Sequence, residues 1–150
     1  MEHRYLLQPL VWTARGTYYN AEGHPFPLTG QSRLRRGNRL WQLEGEMVIA
    51  ALQPLKFWNN YDISQAEDPS TLRWTSHNPA LGTLTGTFTF VADCIISAYT
   101  SQDGVYSGTE TLWLQADGTY YNVGVSFCRD SRMSSWTAVL RAAQVGAKRS

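Results

Sequence analysis

The sequence lacks the usual features of nucleic-acid-binding, membrane and secreted proteins. Charged residues make up only 17% of its 150 residues and the net charge is +1, so no strong field attracts nucleic acid or an acidic membrane. No stretch approaches the about 20 consecutive apolar residues of a membrane span. The opening MEHRYLLQPLVW carries an acid at once and no long apolar run, unlike a secretory signal. The sequence therefore predicts a cytoplasmic protein that binds neither nucleic acid nor membrane.

Cysteine and catalytic motifs are also scarce. The two cysteines, Cys94 and Cys128, form no Cys-x-x-Cys pair, and His3, His24 and His77 lie far apart in the sequence, so nothing local supports a metal site. We expect two buried thiols in a reducing compartment, with a disulfide as the alternative. No Ser-His-Asp order, phosphate-binding glycine loop or pair of spaced carboxylates is present. The sequence thus names neither a reaction nor a cofactor.

Helix signals are nearly absent, whereas turn signals recur at short, regular intervals. Asn, Asp and Gly supply the positive φ that tight turns need in NAEG, RRGN, SQDG and ADG. The runs between them are rich in Thr, Tyr, Trp, Val and Phe. We predict an all-β domain over residues 1–150, an antiparallel meander closed into an up-and-down barrel of about eight to ten strands. Ten candidate strands begin near Leu10, Phe26, Arg39, Leu55, Thr71, Thr83, Ile95, Val105, Thr119 and Ser134.

Alternation within the predicted strands indicates which side chains point inward. In TLTGTFTF, the four threonines face one side and Leu84, Phe88 and Phe90 the other. Glycine recurs on the inward side in several strands, although glycine weakens a flat strand. Strand bending in a small barrel explains this recurrence, and so does room for a ligand; the two explanations are compatible. These glycines are Gly16, Gly30, Gly45 and Gly86.

The stretch VWTARGTYYNAEG resembles the first strand and hairpin of the calycin-type barrels, which include lipocalins, fatty-acid-binding proteins and the nitrobindin-like group. The same strand is similar to that of chromophore lyases that attach bilins to phycobiliproteins. Leu10 stands where the lipocalin Gly-x-Trp has its glycine, and the Arg-x-Tyr of fatty-acid-binding proteins is missing near the C-terminus. The resemblance implies a calycin-like barrel.

One predicted strand, VYSGTETLWL, carries a candidate acid. It places Tyr106, Gly108, Glu110 and Leu112 on one face. If this face is inward, Glu110 lies in an apolar cavity where desolvation raises its pKa and suits it to acid/base chemistry. The opposite arrangement puts Trp113 inside and Glu110 in water. The sequence leaves both arrangements open.

The leading functional hypothesis is that the barrel binds a small hydrophobic or aromatic molecule, because pockets are mainly apolar with a few fixed polar groups. A hairpin rich in arginine is the candidate entrance, with a solvated turn as the alternative. The predicted cavity lining is Trp12, Tyr18, Trp41, Phe88, Tyr106, Glu110, Tyr120 and Asn122, with Arg33 and Arg35 near the entrance.

Two other functions remain open at this stage. The barrel is alternatively a small isomerase, cyclase or chromophore lyase in which Glu110 or a tyrosine acts as acid or base. In a third hypothesis, the protein's own side chains fill the barrel and it acts only through partners. The apolar segments LKFWNNY and SWTAVLRAAQV further predict a homodimer through the outer wall.

Overall fold

The computed structural model describes residues 2–143, which form ten β-strands in one closed sheet. Each strand pairs antiparallel with its neighbours in the sequence, and the first strand pairs with the last. The predicted all-β meander barrel is confirmed, and no helix occurs within the described range. The strands are β1 (Val11–Tyr19), β2 (Pro25–Arg36), β3 (Trp41–Ile49), β4 (Leu55–Gln65), β5 (Thr71–Asn78), β6 (Gly82–Val91), β7 (Cys94–Ser101), β8 (Tyr106–Leu114), β9 (Tyr120–Cys128) and β10 (Ser131–Ala142).

Two ambiguous strands, β8 and β9, take the orientation that turns their polar residues inward. Leu112 is 1% exposed, whereas Trp113 is 53% exposed on the outer wall. Tyr120, Asn122 and Gly124 of β9 are buried, whereas Val123 faces outward. The arrangement with Trp113 inside is therefore wrong. Glu110 shares the inward face of β8 with Leu112.

A short N-terminal segment, residues 3–10, lies across one end of the barrel; we call it the closing segment. Its Tyr5 and Leu6 are buried. The Tyr5 ring meets Trp12 edge-on at 5.5 Å between centroids. The Tyr120 hydroxyl pairs with His3 Nδ1 at 2.8 Å and accepts the Arg4 backbone N–H at 3.3 Å. Aromatic packing and these hydrogen bonds fix the segment where β1 begins and β2 ends.

Replacing Tyr120 with phenylalanine is expected to loosen the closing segment. The substitution keeps the ring but removes the hydroxyl that serves both His3 and Arg4. The free energy of unfolding should fall by about 1–3 kcal/mol, since partners buried with the hydroxyl lose their hydrogen bond. Urea unfolding measures the change. Tyr121→Phe is the control because Tyr121 faces outward; equal losses in the two variants would contradict the assignment.

The opposite end of the barrel is less completely paired. The pairing of β4 with β5 covers only Tyr61–Gln65. The beginning of β4, residues 55–60, has no strand partner on that side within residues 2–143. Phe57 and Asn59 project inward from this portion, whereas Trp58 is 61% exposed. The barrel therefore has a closed end and a more open end.

The outer wall differs in part from the predicted apolar surfaces. Trp136, Ala138 and Leu140 of β10 face inward. The outward positions between them are Thr137 and Val139, of which only Val139 is apolar. A different group of apolar side chains is exposed on β7, β8 and β9. Trp113 lies opposite Tyr121. Ile96 and Val123 lie on either side of Thr111, two residues along β8 from Trp113. The exposed group is Ile96, Trp113, Tyr121 and Val123.

Candidate functional site

The interior of the barrel contains a cavity of about 380 Å³. It begins against Tyr5 of the closing segment and extends to Leu81 at the β5–β6 turn. Its wall is mainly aromatic and aliphatic, as is typical of small-molecule sites. The barrel is thus lined, but not filled, by its own side chains. Nine aromatic residues contribute to the wall: Tyr5, Trp12, Tyr18, Phe57, Tyr61, Trp74, Phe88, Tyr99 and Trp136.

Trp74 lies at the centre of the largest aromatic group. Its ring stacks on Tyr61 at 4.5 Å between centroids and at 16° between planes. Phe88 and Tyr99 each lie 6.0 Å from it. The side chain is 4% exposed, and its indole N–H has no hydrogen-bond partner within residues 2–143. One wall of the cavity therefore presents packed ring faces.

Inward glycines let these rings lie flat against the sheet. A Cβ added at Gly86 would come within 2.6 Å of Trp74 Cζ2, and one at Gly108 within 2.5 Å of the Tyr99 ring. Gly124 is covered in the same way by Trp136 of the adjacent strand. This arrangement, an aromatic ring over a cross-strand glycine, is known to stabilise curved sheets.

Two other inward glycines have different surroundings. At Gly16 a Cβ would overlap the carbonyl of Thr137, so the strands approach closely there. At Gly45 the nearest atom to an added Cβ is 3.9 Å away, and the residue faces the cavity. Close approach of the strands accounts for Gly16, and Gly45 borders unfilled space.

Glu110 is the ionisable group of β8 in the cavity wall. The registers place it opposite Gly124, which in turn lies opposite Trp136. Trp136 Nε1–H donates to Asn122 Oδ1 at 3.0 Å, and Asn122 Nδ2 donates to the Thr111 carbonyl at 3.2 Å. Burial raises the pKa of Glu110, and the adjacent polar groups of Asn122 and Trp136 oppose this shift without reversing it.

Three tyrosine hydroxyls belong to the same electrostatic environment. Burial raises the pKa of Tyr5, Tyr61 and Tyr99, and the negative charge of Glu110 raises each further. No Lys, Arg or His side chain of residues 2–143 lines the cavity. When Glu110 is charged, no cationic side chain of residues 2–143 in the cavity wall offsets its charge.

The raised pKa predicts how stability depends on pH. As pH rises, the Glu110 carboxyl loses its proton in the unfolded chain before it does so in the folded protein. The free energy of unfolding therefore falls between the ordinary pKa of 4.5 and the higher pKa of the folded state. Below this pH window, the Glu110→Gln variant should be as stable as the wild type; above it, the variant should be more stable. Thermal unfolding across pH checks this. Glu44→Gln, on the outer wall, is the control; a parallel pH profile for Glu110→Gln and the wild type would contradict the assignment.

Half of the site residues predicted from sequence border the cavity. Trp12 lies near its closed end beside Tyr5, and Tyr18 lies further along β1. Phe88 packs beside Trp74, and Glu110 lies two strands away from Phe88 in the same row, since Ser97 of β7 lies opposite both. Asn122 is on β9, the next strand after that of Glu110. The structure thus brings five of the predicted residues together around one space.

The other predicted side chains lie elsewhere. Trp41 faces inward but sits at the closed end under Arg36, whose Cζ is 4.9 Å from the ring centroid. Tyr106 lies where β8 begins, opposite Cys128 at the other rim. Tyr120 is fully buried beneath the closing segment, with its hydroxyl used by that segment. The placement of these three in the cavity lining is wrong because each lies too near a strand end.

The predicted entrance is also wrong. Arg33 and Arg35 point outward, and Arg35 pairs with Glu44 on the outer wall at 2.8 Å. Arg33 lies opposite Val11, at the end that the closing segment covers. The alternative, a solvated hairpin, is correct. Cavity residues reach the other rim at Leu81 and Met133.

Six aromatic members of the wall were not predicted from the sequence, namely Tyr5, Phe57 and four further rings. Alternation in TLRWTSHN would have found Trp74, since Leu72 and Ser76 share its face. Tyr99 shares its face of β7 with serines, so this face does not look hydrophobic in the sequence. Trp136 stands in a segment with apolar residues on both faces, so alternation did not show which face is inward, and Tyr61 stands in the amide-rich FWNNYD. The missing Tyr61, Trp74, Tyr99 and Trp136 are all large rings on strands of mixed polarity.

Metal, thiol and membrane features add little to the site. Within residues 2–143, no three His, Cys, Asp or Glu side chains are grouped so that they could hold a metal ion. Cys94 and Cys128 are both free thiols. The same residues contain no helix long and apolar enough to cross a membrane.

Comparisons with known proteins show similarity of structure but not of sequence. No protein-family model matches the chain, and no curated protein matches its sequence. An S-type phycobiliprotein lyase from Guillardia theta superimposes with a TM-score of 0.65 at 4% identity, over 92% of this chain and 89% of the other. Rv2717c from M. tuberculosis superimposes with a TM-score of 0.64 at 14% identity, over 93% and 96%. The chain therefore shares the calycin-like fold with proteins from distant sources.

Proposed function

We propose that this protein binds a small apolar or aromatic molecule inside its barrel. The observation that carries the proposal is the cavity of about 380 Å³, lined by aromatic rings and open toward one end. Drug-sized ligands occupy pockets of about 300–1,000 Å³ with mainly apolar walls and a few polar groups. Here the polar groups include Glu110, Asn122 and the indole N–H of Trp74, which has no partner among residues 2–143.

The unfilled space at Gly45 supports a binding function. A larger side chain there would meet no atom closer than 3.9 Å at its Cβ and would fill part of the cavity. Filling a cavity ordinarily stabilises a protein, and sites kept at the expense of stability are characteristic of function. A protein with the same fold is an S-type phycobiliprotein lyase, which supports small-molecule binding by analogy.

Anthracenemethanol, a neutral fluorescent aromatic, tests the proposal. Titration should show saturable binding of one molecule per chain, together with quenching of tryptophan fluorescence, because tryptophans line the cavity. Thermal unfolding should shift upward with probe concentration, since a ligand that binds only the folded state stabilises it. Absence of both effects would indicate that the barrel does not accept aromatic molecules.

Acid/base catalysis on the bound molecule is the second candidate function. The specific observation is Glu110, whose pKa burial raises and which borders the same cavity. A carboxyl with a raised pKa can donate a proton near neutral pH. Ligands recovered from the native protein would be incubated with the wild type and with Glu110→Gln. Conversion by the wild type alone, with equal binding, indicates an isomerase, cyclase or lyase; an unchanged ligand indicates a carrier.

We further propose a cytoplasmic homodimer that associates through the outer wall. The support is the exposed apolar group on β7–β9, with Trp113 53% and Ile96 41% exposed. Contiguous apolar surface of this kind often marks a contact. The free thiols are compatible with a reducing compartment. Light scattering should give twice the chain mass of 16.9 kDa, and Trp113→Ser should reduce it to one chain; a wild-type mass of one chain would contradict the dimer.

A further inference from the structure

The charge distribution around the cavity is one-sided. Glu110 contributes a carboxyl, and the cavity lining contains no basic side chain of residues 2–143. Glu46 also borders the space, but its carboxylate is neutralised by Lys56 Nζ at 2.8 Å on the outer wall. In the closing segment, Arg4 lies over the Trp12 ring and His3 pairs with Tyr120 and the Ala92 carbonyl. Neither basic residue belongs to the cavity wall.

The ring faces add to this negative potential. An aromatic ring carries negative charge density on its face, so a ring wall attracts cations. Tyr61, Trp74 and Tyr99 form such a wall with centroid separations of 4.5–6.0 Å. The Tyr99 ring covers Gly108, two residues before Glu110 on β8. The charge of Glu110 raises the pKa of the hydroxyls of Tyr61 and Tyr99, which places the carboxyl and the rings in one electrostatic environment.

We propose that the cavity selects an aromatic molecule carrying a positive charge, such as a protonated amine or a quaternary ammonium, with its charge beside Glu110 and its rings against the Tyr61–Trp74 stack. This inference rests on the proposed ligand-binding function and specifies its ligand class. Carboxylate and ring faces are both complementary to a cation, whereas a ligand carboxylate would meet no basic side chain of the described wall. Anionic ligands such as fatty acids are accordingly disfavoured.

Proton exchange accompanies this binding. Where Glu110 is neutral in the free protein, a permanent cation displaces its proton to solvent, giving carboxylate, bound cation and one released proton. An uncharged amine instead takes the proton from Glu110, and no net release occurs. Other groups facing Glu110 are the hydroxyls of Tyr5, Tyr61 and Tyr99 and the side chains of Asn122 and Trp136. Affinity for a permanent cation should therefore rise with pH as Glu110 ionises and then level off.

A matched set of fluorescent probes tests the inference. Anthracenemethanol is neutral, anthracenemethyl-trimethylammonium is a permanent cation and anthracenecarboxylate is an anion, all on one ring system. We expect the cation to bind the wild type about tenfold more tightly than the neutral probe, and the anion to bind most weakly. Equal affinity for cation and neutral probe, or preference for the anion, would overturn the inference while leaving the binding function intact. Failure of all three to bind would overturn both.

Two variants locate the origin of the preference. Glu110→Gln keeps the side-chain shape and should lower affinity for the cation about tenfold with little change for the neutral probe. Glu44→Gln removes the same charge from the outer wall and should leave all three affinities unchanged. Thermal unfolding verifies that both variants are folded. A cation preference and pH dependence that persist in Glu110→Gln would contradict the assignment to this carboxyl.

Discussion

Gly45→Phe is expected to abolish binding of aromatic molecules while the barrel remains folded. Gly45 faces the cavity, and an added Cβ there would meet no atom within 3.8 Å. The new ring therefore has room to enter, and it then occupies the space that a ligand requires. Affinity for anthracenemethanol should fall by at least about 100-fold, which corresponds to ~2.7 kcal/mol. Fluorescence titration measures the loss, and chemical unfolding checks that stability is retained.

Gln42→Phe is the matched control for this variant. It adds the same ring to the same strand but on the outer wall, where Gln42 is exposed and bonds Asp62 at 3.3 Å. Its affinity for the probe should equal that of the wild type. Wild-type binding by Gly45→Phe would place the binding site outside the barrel. Loss of binding in both variants would make the effect nonspecific.

Trp74→Ala is expected to cause the largest loss of stability. The ring is 4% exposed, stacks on Tyr61 and packs against Phe88 and Tyr99, and it covers Gly86. Its indole N–H has no partner among residues 2–143, so no such hydrogen bond is lost. Removal of this packing should lower the free energy of unfolding by about 3–5 kcal/mol.

Trp58→Ala separates burial from the chemistry of tryptophan. Trp58 is 61% exposed, with Lys56 Nζ 5.3 Å from its ring centroid. The same substitution there should cost less than about 1 kcal/mol, as is usual for exposed positions. Urea unfolding of both variants provides the comparison. A similar cost at the two positions would contradict the role of Trp74 as the centre of the aromatic wall.

The local sequence pattern was enough to predict the positions of the strands, because alternation and turn residues act over a few positions. Every predicted strand start lies within three residues of the observed one: Arg39 was predicted where β3 begins at Trp41, and Ser134 where β10 begins at Ser131. The inward face of TLTGTFTF was also correct, since Leu84 and Phe88 are buried.

The height of a residue along the barrel was harder to predict. Trp41 and Tyr106 were assigned to the correct face, but both lie near strand ends and so miss the cavity. Alternation distinguishes inside from outside and contains no information on depth. The placement of Arg33 and Arg35 failed for a related reason. Which end is closed depends on residues 3–10 folding across it, a long-range contact with no local signal.

The orientation of β8 shows where hydrophobicity alone misleads. Burying Trp113 would have placed Glu110 in water, which is the usual preference for each residue type. The structure does the opposite, exposing Trp113 and enclosing Glu110. Departures from local preference of this kind are expected at functional sites.

The location of a bound probe tests the central claim most directly, namely that the barrel interior is a ligand site. A crystal of the protein grown with a bromine-labelled anthracenemethanol would reveal the bromine by its anomalous scattering. We predict one bromine position per chain, inside the barrel, with the rings in contact with Trp74 and Phe88. A bromine position on the outer wall at Trp113 and Tyr121, with an interior free of probe, would contradict the account.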